Sequence, residues 1–285
     1  MYSPSMSPAC GRGEALKPRK VLLDKPKKRL YRARAHSNPL NDHSFEVPTT
    51  PAHVNWNKYY GYEDKNNTTC SEREREGEGE REGEGEGRNG NKNGNGNGVG
   101  QVTFLDVGCG FGGFLIKLAE LYPNEVSLGL ELRDKVSEYV RERIETLRKN
   151  NEEEGLYRNV AVIRANAMKD LPHYFTKKQL KKMFFLFPDP HFKVSTHRRR
   201  IVTTLLLDEY AYFLENGGML YTITDVEDLG IWMKDHLDRH PLFTQVPDEE
   251  LENDPAAKQL FCASEEAQKV TRNEGQMFRA VYRRL

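Results

Sequence analysis

The segment FLDVGCGFGGF, Phe104 to Phe114, constrains the fold of this chain more than any other. An apolar run, Val102 to Val107, ends directly in glycines, and Gly112 to Leu121 follows with apolar residues at helical spacing. A strand that turns through glycines into a helix opens a βαβ unit, whose right-handed crossover builds a parallel sheet covered on both faces. The rhythm repeats. Val126 to Leu132, Val160 to Ala165, Met183 to Phe187 and Gly218 to Asp225 read as strands. Asp134 to Lys149, a short stretch near Met168 to Phe175, Arg199 to Leu214 and Val226 to His240 read as helices, with a basic connector at Lys177 to Lys182. Phe243 to Val246 and Met277 to Arg283 then read as strands flanking a helix that starts near Ser264, so the final strand is expected to return antiparallel.

The glycines carry two chemical readings. Gly108, Gly110 and Gly113 satisfy G-x-G-x-x-G, and Glu131 ends the next strand about 20 residues on, the dinucleotide fingerprint with its ribose-binding acid. Asp106 argues against NAD, because a carboxylate beside this turn faces the pyrophosphate that the turn would cradle at a helix N-terminus. S-adenosylmethionine has no phosphate and carries a positive sulfonium and ammonium, so Asp106 becomes attractive while Glu131 still accepts from the ribose hydroxyls. The residues favour that cofactor over NAD, and over glycines that serve only a tight turn. Asn166 and Ala167 follow the third strand, at the edge where doubly wound sheets bind ligands. Asn166 suits an adenine edge or a helix N-cap, and Arg133 an adenine face or solvent.

The fourth strand ends in FFLFPDPHFK, Phe184 to Lys193. Prolines after a strand usually just end it, but Pro188 and Pro190 enclose Asp189 and hold a carboxylate on a stiff turn at the cofactor edge. Lys193, His197, Arg198, Arg199 and Arg200 follow at once. A charge run is usually a solvated face; this one adjoins the expected reacting centre and offers a phosphate-binding surface.

Composition matters where it changes along the chain. Forty-three basic and 43 acidic side chains cancel overall, yet residues 1 to 60 carry a net charge of +7, residues 61 to 100 one of -4, and residues 101 to 285 one of -3. Residues 71 to 100 contain ten Gly, eight Glu and Val99 as the single apolar residue, so nothing there offsets the entropy of ordering. The expected organisation is a basic, largely irregular arm over 1–62, a flexible low-complexity insertion over 63–100 and one α/β domain over 101–285. Phe45, Val54, Trp56, Tyr59, Tyr60 and Tyr62 suggest that the end of the arm lies on the body or on a ligand. No apolar run approaches the roughly 18 residues of a membrane span, and the N-terminus lacks an apolar signal core. Cys10, Cys70, Cys109 and Cys262 lie far apart, which predicts free thiols and no metal in an intracellular protein.

LDVGCGFGGF, GLELR, RANAMKDLP, MFFLFPDPHFK, YTITDV, HPLFTQVP and SEEAQKV, with RARAHSNP at Arg32 to Pro39, closely resemble the tRNA (guanine-N(7)-)-methyltransferase family in its eukaryotic branch. The resemblance spans roughly Arg29 to Tyr62 and Val102 to Arg284; the tract at 71–100 has no counterpart in it. It implies an α/β, Rossmann-like class I methyltransferase with a seven-stranded, mostly parallel sheet, helices on both faces and an antiparallel final strand. It further implies an S-adenosylmethionine donor and a guanosine in the tRNA variable loop as acceptor. Carried over by position, it implies cofactor contacts at Gly108, Glu131, Arg133, Asn166, Ala167, Leu186, Ser264 and Glu266, a catalytic Asp189, and substrate contacts at Lys193 and Asp225. Ser264 also reads as an N-cap with an acidic first turn. A WD-repeat non-catalytic subunit is the implied partner in a heterodimer. Lys25, Lys27, Lys28 and Arg29 resemble a nuclear-import cluster and equally suit tRNA phosphates, so the expected compartment is the nucleus, with the cytoplasm second. The alternatives are an amino-group methyltransferase acting on another RNA or a protein, and a non-catalytic RNA-binding scaffold.

Overall fold

A computed structural model of the chain describes residues 22–33, 37–41, 45–62 and 99–285. Seven strands form one sheet: β1 (Val102–Val107), β2 (Val126–Glu131), β3 (Val160–Arg164), β4 (Leu180–Leu186), β5 (Leu214–Thr224), β6 (Phe243–Gln245) and β7 (Phe278–Arg284), in the order β3-β2-β1-β4-β5-β7-β6. β1 to β5 pair in parallel, and β7 runs antiparallel to both β5 and β6. Six strands therefore point one way and the last in sequence is inserted against them, as expected. The order reverses between β1 and β4, the switch point outside whose C-terminal ends open α/β sheets bind ligands.

Helices α1 (Trp56–Tyr60), α2 (Gly113–Leu121), α3 (Asp134–Asn150), α4 (Leu171–Tyr174), α5 (Thr204–Phe213), α6 (Glu227–Asp238), α7 (Asp248–Leu251), α8 (Pro255–Gln259) and α9 (Glu265–Arg272) surround the sheet. The period-two alternation of a strand sorts its side chains between two faces. Leu105, Val107, Met183 and Phe185 join Tyr60, Leu171, Tyr210 and Met233 from α1, α4, α5 and α6. Their neighbours Phe104, Phe184 and Tyr221 join Phe114, Leu118 and Leu251 from α2 and α7, while Val160 and Val162 meet Leu115, Val140 and Ile144 from α2 and α3.

Three boundaries differ from expectation. β4 begins at Leu180, not Met183, because Lys181 and Lys182 join the strand with their charges paired to Glu125 at 2.6 Å and Asp254 at 3.0 Å. The helix expected from Arg199 starts at Thr204, where the Thr203 hydroxyl accepts from the Leu206 N–H; Val194–Arg199 is a 3-10 turn instead. β5 begins at Leu214, opposite Leu180, and next pairs Met219 with Lys182, so Glu215 to Gly218 bulge out around Gly217 at φ +81°.

The described part of the arm lies on the body. Tyr60 is fully buried and its hydroxyl donates to the Ser127 carbonyl at 2.9 Å. Tyr31 meets Tyr139 edge-on at 5.4 Å, and the Lys28 ammonium sits 4.6 Å from the centre of the Phe111 ring. Of the insertion expected over 63–100, only Val99 and Gly100 fall among the described residues. Among the described residues no helix is long and apolar enough to cross a membrane, and no group of three or more His, Cys, Asp or Glu is placed to hold a metal.

Candidate active site

β1 ends in Val107 and the chain turns at Gly108, Gly110 and Gly112, each with positive φ, before α2 begins. Gly108 and Cys109 donate to the Leu130 carbonyl at 2.8 and 3.0 Å, locking the turn to β2. Gly113 is needed for closeness: a Cβ there would stand 2.6 Å from the Ala263 carbonyl and from Glu265 Oε2. That Glu265 oxygen accepts the Gly113 N–H at 3.1 Å. The N-terminus of α2, where a pyrophosphate would bind, thus already holds a carboxylate of the protein. Burial works against the Glu265 charge, but Arg143 at 2.8 Å and Lys28 at 3.2 Å more than offset it and hold its pKa below the usual carboxylate range.

Beneath the turn Asp106 is 2% exposed, and its Oδ2 has no hydrogen-bond partner. Burial, then the negative charges of Glu131 and Glu265, push its pKa up to about 8. A positively charged ligand relieves this crowd of carboxylates; a phosphate worsens it.

Glu131, at the end of β2, is 4% exposed. It accepts from the Gly110 N–H at 3.1 Å, the Arg133 N–H at 2.9 Å and the Arg133 guanidinium at 3.0 Å through each oxygen. Arg133 is therefore folded back onto Glu131, not solvated, and although burial opposes its charge, Glu131 holds its pKa up. Asn166 is buried after β3; its Oδ1 accepts from the Met168 N–H and its Nδ2 donates to the Pro39 carbonyl at 2.6 Å. It caps a local turn and ties the arm down; the N-cap of α4 is Asp170.

On the other side of the switch point, β4 ends at Leu186 and leads into Pro188, Asp189 and Pro190. One cleft gathers Ser37 and Pro39 from the arm, Gly108, Glu131, Arg133, Asn166, Ala167, Leu186, Asp189, His191 and Arg199. Six of the eight cofactor residues implied by the resemblance thus meet in one place with Asp189, the catalytic residue it implies. The other four lie apart from this lining. Ser264 caps α9, accepting from the Ala267 N–H at 3.0 Å, and Glu266 is exposed and pairs with Lys269. Lys193 and Asp225 are exposed at the ends of the loops that follow β4 and β5. The acid that reaches the glycine turn is Glu265; the pair EE in sequence did not distinguish it from its neighbour. The arm's Ser37 and Pro39 also went unread as lining residues, although RARAHSNP contains both. In the basic run, Arg198 is exposed, whereas Arg200 is 5% exposed and turned inward, so the run is not one continuous phosphate-binding surface.

A β3-β2-β1-β4-β5-β7-β6 sheet with an acid-rimmed glycine turn at its switch point defines a Rossmann-like class I methyltransferase. A family model described as "Putative methyltransferase" matches residues 100–280. The chain is 50% identical over 261 residues to a tRNA (guanine-N(7)-)-methyltransferase of Arabidopsis thaliana, covering 91% of this chain and 92% of that one. To its namesake in Caenorhabditis elegans it is 50% identical over 260 residues, with 91% and 89% covered, and to that of Drosophila ananassae 45% over 275, with 96% and 94% covered. The chain belongs to the tRNA (guanine-N(7)-)-methyltransferase family.

Proposed function

We propose that the protein transfers a methyl group from S-adenosylmethionine to N(7) of a guanosine in the variable loop of tRNA. The observation that carries this reading is the cleft in which Asp189, on its Pro-Asp-Pro turn, shares a lining with Gly108, the first residue of the glycine turn, and with Glu131. When bound, S-adenosylmethionine supplies a methyl group activated by its sulfonium. Asp106, Glu131 and Glu265 favour that positive ligand, and the Glu265 carboxylate at the α2 N-terminus speaks against a dinucleotide. Glu131 accepts the ribose hydroxyls, with Asn166 and Ala167 at the adenine end. Guanine N(7) already exposes a lone pair, so no base is required, and catalysis reduces to alignment of the reacting atoms at about 3 to 3.5 Å. Asp189 accepts from the ring N–H and amino group of the guanine, holding N(7) in line and stabilising the positive charge that the methylated purine acquires.

The test is transfer of labelled methyl groups to bulk tRNA followed by nucleoside analysis. 7-Methylguanosine as the labelled product is expected; label in a methylated amino group would overturn the reading in favour of an amino-group methyltransferase. The WD-repeat subunit as heterodimeric partner and the nucleus as compartment are part of the same proposal and rest on the family resemblance. Co-purification and imaging of the tagged chain test them.

A further inference from the structure

The turn that carries Asp189 is held at both ends in an uncommon backbone conformation. Phe187, before it, lies at φ +50° and His191, after it, at φ +45°, the left-handed region that side chains disfavour. Such residues persist where the surroundings over-determine them, and here two hydrogen bonds do so. At the entry the Phe187 N–H donates to the Ile223 carbonyl of β5 at 2.8 Å. At the exit Arg200 Nε donates to the Pro190 carbonyl at 2.9 Å.

Arg200 closes the basic run, yet it is buried, and burial draws its pKa down from the usual guanidinium range. Its guanidinium lies 4.6 Å from the centre of the Trp232 ring, on α6. That indole is itself fixed, because Nε1 donates to the Val202 carbonyl at 2.8 Å, and the same stretch of chain is pinned by the Tyr210 hydroxyl on the Ile201 carbonyl at 2.8 Å. A planar guanidinium can stack on an indole and donate from its edge at once; a lysine ammonium cannot do both with the same geometry.

We propose that Arg200 is a positioning residue for methyl transfer: stacked on Trp232, it fixes the Pro190 carbonyl and so aims the Asp189 carboxylate at the acceptor base. The proposal rests on the reading of the function given above. It assigns to the inward-facing member of the run a task separate from phosphate binding.

Single-turnover methylation of tRNA, with S-adenosylhomocysteine affinity and melting temperature measured alongside, tests it. Arg200→Met is expected to lower the rate of the chemical step by roughly 10- to 100-fold, the scale of a reactant misplaced by about 1 Å, with cofactor affinity unchanged. Arg200→Lys, which keeps a donor, should fall between. The discriminating measurement is the double variant. Residues that act as a unit are non-additive, so in an Asp189→Ala background Arg200→Met should cost no more than about twofold. A full additional loss there, or a wild-type rate for Arg200→Met alone, would overturn the proposal. If Arg200→Met does not fold, Trp232→Phe, which keeps a ring face but loses the bond to Val202, takes its place with the same expectations. Absence of 7-methylguanosine from the wild-type reaction would instead strike the functional reading itself.

Discussion

The Arg133 guanidinium grips the Glu131 carboxylate through both oxygens, Nε on Oε1 and Nη2 on Oε2, each at 3.0 Å. With the backbone N–H groups of Gly110 and Arg133, four donors occupy about the full capacity of a carboxylate. On the proposed reading, a ribose takes its place on Glu131 only when the guanidinium lets go. Glu131→Ala should therefore weaken S-adenosylhomocysteine binding by about 10²- to 10⁴-fold, two hydrogen bonds to a charged group being worth roughly 1.5 to 3 kcal/mol each. Arg133→Ala should cost far less, because it also removes the competitor. Calorimetric titration compares the two; equal losses would contradict the latch.

Asp106 is expected to make cofactor binding depend on pH. Its folded-state pKa of about 8 lies above its ordinary 3.8, so the empty protein holds a proton there that the unfolded chain has released. This group's contribution to stability accordingly declines as pH rises from about 4 to about 8. A cationic ligand prefers the ionised form and expels the proton. Apparent affinity should rise with pH by up to about tenfold per unit and level off near pH 8, and Asp106→Asn should flatten the profile. Titration in buffers of different ionisation enthalpy reads the proton directly; no release between pH 6 and 7 would contradict the account.

Glu265 on the Gly113 N–H leads to a ligand test that needs no turnover. S-adenosylmethionine or S-adenosylhomocysteine at about 100 times its dissociation constant should stabilise the protein by about 2.7 kcal/mol. NAD should leave the melting temperature unchanged. Equal shifts with both would mean that the carboxylate yields its place to a pyrophosphate.

Asp189→Ala should slow methyl transfer by roughly 10²- to 10⁴-fold, 1.36 kcal/mol being a tenfold change, with little effect on cofactor affinity. Asp189→Asn keeps the shape and one acceptor but loses the charge, and should lie between Ala and wild type. A fully active Asn variant, assayed below saturation in tRNA and cofactor, would remove the charge-stabilising role.

Tyr60, inside the core although it belongs to the arm, tests whether arm and body fold together. Tyr60→Ala should cost about 3 to 5 kcal/mol of stability, read by denaturant unfolding as a shift of the whole transition. An early separate transition would show the arm melting on its own.

The sheet was legible because buried parallel strands are short continuous apolar runs, and the reversal of β7 because no crossover of the usual length precedes it. Three of the short helices were not, although β6 and α4, just as short, stood out as an apolar run and a stretch between strands. α1, α7 and α8 have five residues or fewer and no period to display, and Lys181 and Lys182 disguised the start of β4 because their partners lie 56 and 72 residues away. In the site, the glycines, Glu131 and Asp189 announced themselves by chemistry at fixed spacing. Arg200 was hidden by its neighbours: three consecutive arginines look alike until packing against Trp232 singles one out. The same holds for Glu265, since one residue of offset on a helix decides which of two acids meets the turn.

The bond from Asn166 to the Pro39 carbonyl joins residues 127 positions apart, and the one from Glu265 to Gly113 joins residues 152 apart. One wall of the cleft thus comes from the arm and the rest from strand ends more than sixty residues later, while α9 closes on the glycine turn from outside that lining. Neither contact is local, so both form only when distant parts of the chain fold together, and the cleft is a product of the tertiary fold and not of any one βαβ unit.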